Sequence, residues 1–150
     1  MLSKHPPKNS ERRGVAAVEM ALVLPLFLLL VFGIIEFGRA MMIASLVTNA
    51  AREGARMAVL DGSTNTDVTN GVRTFLQSAI GGALTSADIS VTITITAATG
   101  NPNPANNLAN ASTRDLIDIR VQVPFNKVAL IPGKYLQNKN LVGQSSMRHE

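Results

Sequence analysis

Apolar and polar positions divide the chain into five predicted elements. Val15 to Ile35 is a run of 21 residues whose only charge is Glu19, preceded by Arg12-Arg13-Gly14 and followed by Glu36. About 20 mainly apolar residues are what a helix needs to cross a bilayer core. Only a helix satisfies the backbone of a lone span in lipid. Helix-favouring residues continue through Leu60 to a stop at Asp61-Gly62. Residues 15–60 as one helix would measure roughly 69 Å at 1.5 Å per residue, about twice the core, so the helix is expected to continue outside the membrane. Pro25 should bend or loosen it by removing one hydrogen bond and crowding residue 21.

Beyond the Gly62-Ser-Thr-Asn turn, Thr66 or Asp67 is placed to cap a second helix. Val68, Val72, Phe75, Leu76, Ala79 and Ile80 form its core stripe at helical spacing, and Gly81-Gly82 ends it. Residues 89–96 alternate apolar and hydroxyl side chains and read as a strand with one buried face. Residues 97–113 form a polar loop, long enough to be either mobile or a contact surface. Ile117, Ile119, Val121 and Val123 share one face of a second strand, antiparallel to the first. Val128 to Ile131 should cover the sheet, Pro132 and Gly133 interrupt the chain, and Leu141 to Arg148 is a weaker third strand. The expected fold is α+β: a long N-terminal transmembrane helix continuing into a small exported domain, with a second helix and a three-stranded antiparallel sheet.

Charge refines the topology. Residues 1–14 carry Lys4, Lys8, Arg12 and Arg13 against Glu11, while the rest of the chain is nearly balanced. The Lys/Arg excess before the span, set against Arg39 and Arg52 after it, favours a cytoplasmic N-terminus and a periplasmic domain. Three segments follow: a basic leader 1–14, a transmembrane and extended helix 15–60, and an exported domain 61–150. The basic excess belongs to the leader, and aromatic residues are only 4% of the chain, so nucleic acid is not an expected partner. The absence of cysteine removes disulfides as a means of stabilising the domain.

The residues then carry a resemblance. Gly14-Val-Ala-Ala-Val-Glu19, after basic residues and opening a long apolar helix, resembles the processing site of type IV prepilins. The resemblance implies that a prepilin peptidase cuts between Gly14 and Val15, discarding the leader. It implies that Glu19 then pairs with the new N-terminal amine, that of Val15, in a neighbouring subunit. It also admits local melting of the packed helix at Pro25, where a simple kink is the plainer reading. Glu36-Phe-Gly-Arg39 followed by Thr48-Asn-Ala-Ala-Arg-Glu-Gly-Ala-Arg-Met-Ala58 is similar to the N-terminal region of TadE-like proteins, minor pilins or pseudopilins of the tight-adherence (Flp) pilus system. That resemblance implies a pilin-like fold and a role in cell adhesion. The implied partners are the prepilin peptidase, sibling minor pilins, the major pilin, the inner-membrane assembly platform and membrane lipid. It places the protein in a bacterial inner membrane, or incorporated into an extracellular pilus.

Read physically, Glu36 and Arg39 are three apart and can pair. Arg52 and Arg56 project from one helix face, Glu53 lies between them, and Ala51, Ala55 and Ala58 leave low relief nearby. That stretch is either a solvated, charge-balanced helix or a small-residue surface for neighbouring helices, with its arginines meeting acidic groups or lipid phosphate.

Catalysis is not expected, and neither is a cofactor or a metal. His5 and His149 lie near the chain ends, no cluster has metal-ligand spacing and no phosphate loop is present. A Ser–Lys pair stays open. Asp115 and Asp118, three apart in a predicted strand, fall on opposite faces and are read as keeping an exposed edge soluble. Two rival readings remain. Gly38-Arg-Ala40 fits a conventional signal peptidase site and would release residues 41–150 as a secreted module. Without any cleavage, the chain is a single-pass membrane protein with a periplasmic binding domain.

Overall fold

The computed structural model describes residues 9–81, 84–130, 136 and 138–150. The expectations placed on leader residues 1–8, Gly82, Ile131, Pro132 and Gly133 lie outside these residues. The chain divides into two units, residues 1–37 and 38–150. Its main elements are α1 (Asn9–Ala58), α2 (Asn65–Ile80), β1 (Ser90–Thr96), β2 (Leu116–Pro124) and β3 (Asn140–Arg148), the α+β order expected.

Helix α1 starts six residues before the apolar run and ends two short of Leu60. Its last turn tightens. Leu60 N–H donates to the Met57 carbonyl, Ser63 Oγ donates to the same oxygen at 2.6 Å, and Gly62 leaves the helix at φ 80°. Pro25 sits inside α1, which is helical on both sides of it.

The cap of α2 falls earlier than expected, at Thr64 instead of Thr66 or Asp67. Thr64 is extended at φ −111° and ψ 156°; its hydroxyl oxygen accepts from Asp67 N–H at 3.2 Å and donates to Asp67 Oδ2 at 2.6 Å. A cap must be non-helical and three residues before the N–H it satisfies. Thr66 and Asp67 are already in the helix. Val68, Val72 and Leu76 are buried and Phe75 and Ile80 partly so, but Ala79 faces outward. Gly81, at φ 82°, ends the helix.

The three strands are antiparallel in the order β1-β2-β3. Register sets Ile95 opposite Ile117, Ile93 opposite Ile119 and Val91 opposite Val121; on the other side Val121 meets Gly143 and Val123 meets Leu141. Ile117, Ile119, Val121 and Val123 are all fully buried. At about 1.5–3 kcal/mol for each such side chain, β2 is the strand whose register matters most, since a one-residue slip would turn all four outward.

In the second unit, α1 packs onto this sheet and onto α2 through Ile43, Val47, Ala50, Ala51, Gly54, Ala55 and Ala58. The low relief of Ala51, Ala55 and Ala58 therefore serves the domain's own core and is not an exposed surface. A Cβ built on Gly54 would stand 2.7 Å from Val72 Cγ2 and 3.3 Å from Ile119 Cγ2. On Gly143 it would stand 2.5 Å from the Val47 carbonyl oxygen and 2.6 Å from Thr48 N. Phe125, in a short turn after β2, is also buried, as is Val128, whereas Leu130 points outward and does not cover the sheet.

The loop 97–113 is stitched down at several points. Asp115 is its hub, and here the expectation of an exposed strand-edge carboxylate is overturned. Asp115 precedes β2, is fully buried, and accepts from Ala98 N–H at 2.8 Å, Asn101 Nδ2 at 2.7 Å and Ser112 N–H at 2.8 Å. Asn65 Oδ1 accepts from Leu108 N–H and Asn106 Oδ1 from Ile95 N–H, each at 2.8 Å, tying the loop to α2 and β1. Asp118 alone keeps the polar role, accepting from Gln144 Nε2 and Ser146 Oγ across the outer sheet face.

Gly143→Ala should destabilise the domain, because the intruding methyl meets helix backbone that cannot rotate away. Overpacking of this kind costs about 1–3 kcal/mol or more. Hydrogen exchange of the full chain in micelles checks it: β2 and β3 amides should lose protection. Wild-type exchange in both strands would contradict the contact.

A second prediction concerns acid. The donors around Asp115, led by Ala98 N–H, hold its carboxyl below the usual range, and the Thr85 hydroxyl and N–H, with Lys127 at 3.0 Å, bring Asp88 down to about 2. Both groups are lower in the folded chain than unfolded, so their stabilisation is complete above the ordinary carboxylate value of about 4. It is lost as pH falls through the folded values. Asp115→Asn should be less stable at neutral pH and less sensitive to acid below pH of about 4, read from urea midpoints across a pH series. An unchanged acid limb would remove Asp115 from that role.

Candidate functional site

The residues singled out from sequence lie along α1, and the two units treat them differently. In the first unit Gly14, Val15 and Glu19 are all exposed, and a Cβ on Gly14 would meet nothing within 4 Å. Val15 and Glu19 are four apart and so share a helix face. Around them Val18, Leu22, Val23, Leu26 and Phe27 are exposed as well. Leaving so many large apolar side chains uncovered in water is unfavourable by about 25 cal/mol per Å². Such a surface calls for lipid or other apolar helices. This is the one helix among the described residues long and apolar enough to cross a membrane, with mean hydropathy 2.7 in its most apolar window and none of that window buried in the monomer.

Glu36, at the end of the first unit, is only 4% exposed, and its Oε2 has no hydrogen-bond partner among the described residues. Arg39 belongs to the second unit and donates from Nε to the Val128 carbonyl at 2.5 Å. The bond to Val128 satisfies a carbonyl left free where the turn after β2 ends.

Arg52, Glu53 and Arg56 all project outward from the C-terminal turns of α1. Glu53 and Arg56 approach to 3.7 Å with side chains 48% and 73% exposed. An exposed pair of this kind contributes about 0.3–0.5 kcal/mol, so it is incidental to the fold and leaves both charges accessible. Arg52 has no ion-pair partner among the described residues.

Sequence reasoning missed residues that set the geometry without carrying a charge pattern. Gly54, Gly71 and Gly143 are places of close approach, and a Cβ on Gly71 would stand 2.6 Å from Met57 Cε. The small residues of the Ala-Ala-Arg-Glu-Gly-Ala-Arg run were the available signal for Gly54. Nothing around Gly143 announced a helix backbone beneath it.

Comparison with curated proteins and with solved structures gave no match. The family model described as TadE-like protein matches residues 14–56, from the glycine at the end of the basic leader to the second arginine of that run. Over that segment, under a third of its length, the chain is similar to TadE-like proteins.

Proposed function

We propose that the protein is a minor pilin or pseudopilin of a tight-adherence (Flp) pilus system, and that it works by association and not by catalysis. A prepilin peptidase cuts the precursor between Gly14 and Val15 on the cytoplasmic side of the inner membrane. The mature helix stays in the membrane and the domain lies in the periplasm. Sibling minor pilins, the major pilin and the assembly platform then pack against the apolar helix.

The observation that carries this reading is the TadE-like match over residues 14–56 coinciding with an uncovered apolar helix. Among the described residues nothing covers Gly14, Val15 or Glu19, all of which are exposed. A carboxylate inside a span costs about 2.5–3.5 kcal/mol at the helix centre, and less towards its end. Pairing Glu19 with the Val15 amine of a neighbouring subunit offsets that cost only when subunits assemble. The carboxylate thereby makes lateral association more favourable than dispersal in lipid. The helix runs unbroken through Gly38-Arg-Ala40, and Ala40 is buried, which weighs against release of residues 41–150 as a secreted module.

Mass measurement of the mature N-terminus, in cells carrying the pilus machinery, decides between the readings. Val15 is expected; Met41 would indicate secretion and Met1 an uncleaved anchor, and either would refute the proposal. Gly14→Leu should block processing, because the peptidase must approach the backbone where no Cβ stands. Glu19→Ala should insert normally yet assemble poorly, read as the amount of chain co-purifying with other pilus subunits. Wild-type co-purification would remove Glu19 from assembly.

A further inference from the structure

We infer that the outer face of the sheet carries a binding site for a small oxyanion, a phosphate or a carboxylate, held by Arg114 and Arg148. The two arginines line one open cavity of about 280 Å³, with Thr96 and Thr99 at its wall and Leu116 among its lining residues. Register explains the grouping. Thr96, Leu116 and Arg148 form one row across all three strands, so their side chains emerge together on the face away from the core.

Backbone contacts at the end of the β2–β3 ladder fix Arg114 beside that row. Arg114 N–H donates to the His149 carbonyl and His149 N–H to the Asp115 carbonyl, both at 2.9 Å. The arginines therefore hang from ordered backbone and not from a free loop.

Three features separate this cavity from an ordinary solvated surface. Among the described residues neither arginine forms an ion pair, so two like charges line one cavity with neither directly paired. Asp115, next to Arg114, is buried with both oxygens engaged by Ala98, Asn101 and Ser112. Glu150, two residues from Arg148, lines a different cavity with Glu53 and Arg56, so among the described residues no carboxylate lines this one. Arg114 also adopts φ 76°, a left-handed conformation that costs a side-chain-bearing residue energy and suits glycine or asparagine better. Such strain persists only where the surrounding structure fixes it, here the paired backbone bonds among Arg114, His149 and Asp115.

The chemistry selects the ligand class. Guanidinium groups present planar, paired N–H donors matched to the oxygens of carboxylate or phosphate, and threonine hydroxyls add further donors. A cavity this size admits a group with two or three acceptor oxygens. Such a ligand would supply the missing negative charge between the arginines, independently of how the chain is processed or assembled.

The test uses the full chain in a neutral, phosphate-free maltoside micelle, titrated with inorganic phosphate and separately with acetate at constant ionic strength. NMR of the arginine Nε–H groups should show saturable shifts at Arg114 and Arg148, with none at Arg52. Arg114→Gly is the informative variant: glycine relieves the left-handed strain, so the domain should stay folded while affinity falls by about tenfold or more. Arg148→Gln should lose a similar factor. Saturation by phosphate alone identifies a phosphate site, and competition by acetate a general oxyanion site. Non-saturating shifts shared by Arg52, or unchanged affinity in a folded Arg114→Gly variant, would overturn the inference.

Discussion

In the second unit, the backbone of β3 lies directly on the backbone of α1. At Gly143 there is no space for even a methyl group above the Val47 carbonyl and Thr48 N, and this closeness sets the depth of the core. A sheet ordinarily stands about 10 Å from the layer it packs on, with side chains filling the gap. Here glycine removes the gap at one point, and alanines at 50, 51, 55 and 58 keep it narrow along the helix. A domain of this size has few apolar residues with which to fill a thicker core. Thinness is thus a solution to small size: Ile43, Val47, Val68, Val72 and Leu76 complete a core that the sheet could not close alone.

This arrangement gives α1 a second duty. It supplies the apolar segment of the first unit, and from Ala40 onward one of its faces forms a wall of the domain. An isolated domain without residues 40–58 would lose that wall and expose Ile119, Val121 and their neighbours. A change at Gly54 or Val47 therefore acts on the core of the domain.

Much of this was legible in the sequence. Alternation in residues 89–96 and 116–123 fixed both strands to within a residue, because a period of two has no helical reading, and hydroxyls in the first and Asp118, Arg120 and Gln122 in the second mark the outer face. The stripe at Val68, Val72 and Leu76 worked for the same reason at the helical period. Other features depended on contacts remote in sequence. Asp115 looked like a polar strand residue, and only the return of residues 98, 101 and 112 makes it a buried acceptor. The cap at Thr64 was missed because several hydroxyl and acidic residues compete within four positions, and backbone conformation decides among them. Of the candidate site, the exposed positions of Gly14, Val15 and Glu19 could be anticipated from the apolar run, whereas the turn of Arg39 towards Val128 could not.

The composition of α1 differs between its two parts. From Val15 to Met42 its exposed residues include leucine, valine, isoleucine, phenylalanine and methionine; from Ala40 to Ala58 its buried ones are alanine, glycine, valine and a single isoleucine. Lipid rewards large apolar side chains, since nothing has to approach the helix axis closely. A protein core that brings sheet backbone against helix backbone requires small ones. Against that division Glu19 and Glu36 are opposite exceptions. Glu36 is already enclosed in the monomer, with one oxygen unsatisfied among the described residues. Glu19 is open, on a surface where everything around it is apolar. Among the described residues no ion pair reaches Glu19, and a carboxylate open in such surroundings is the physical reason to look for a partner on another chain.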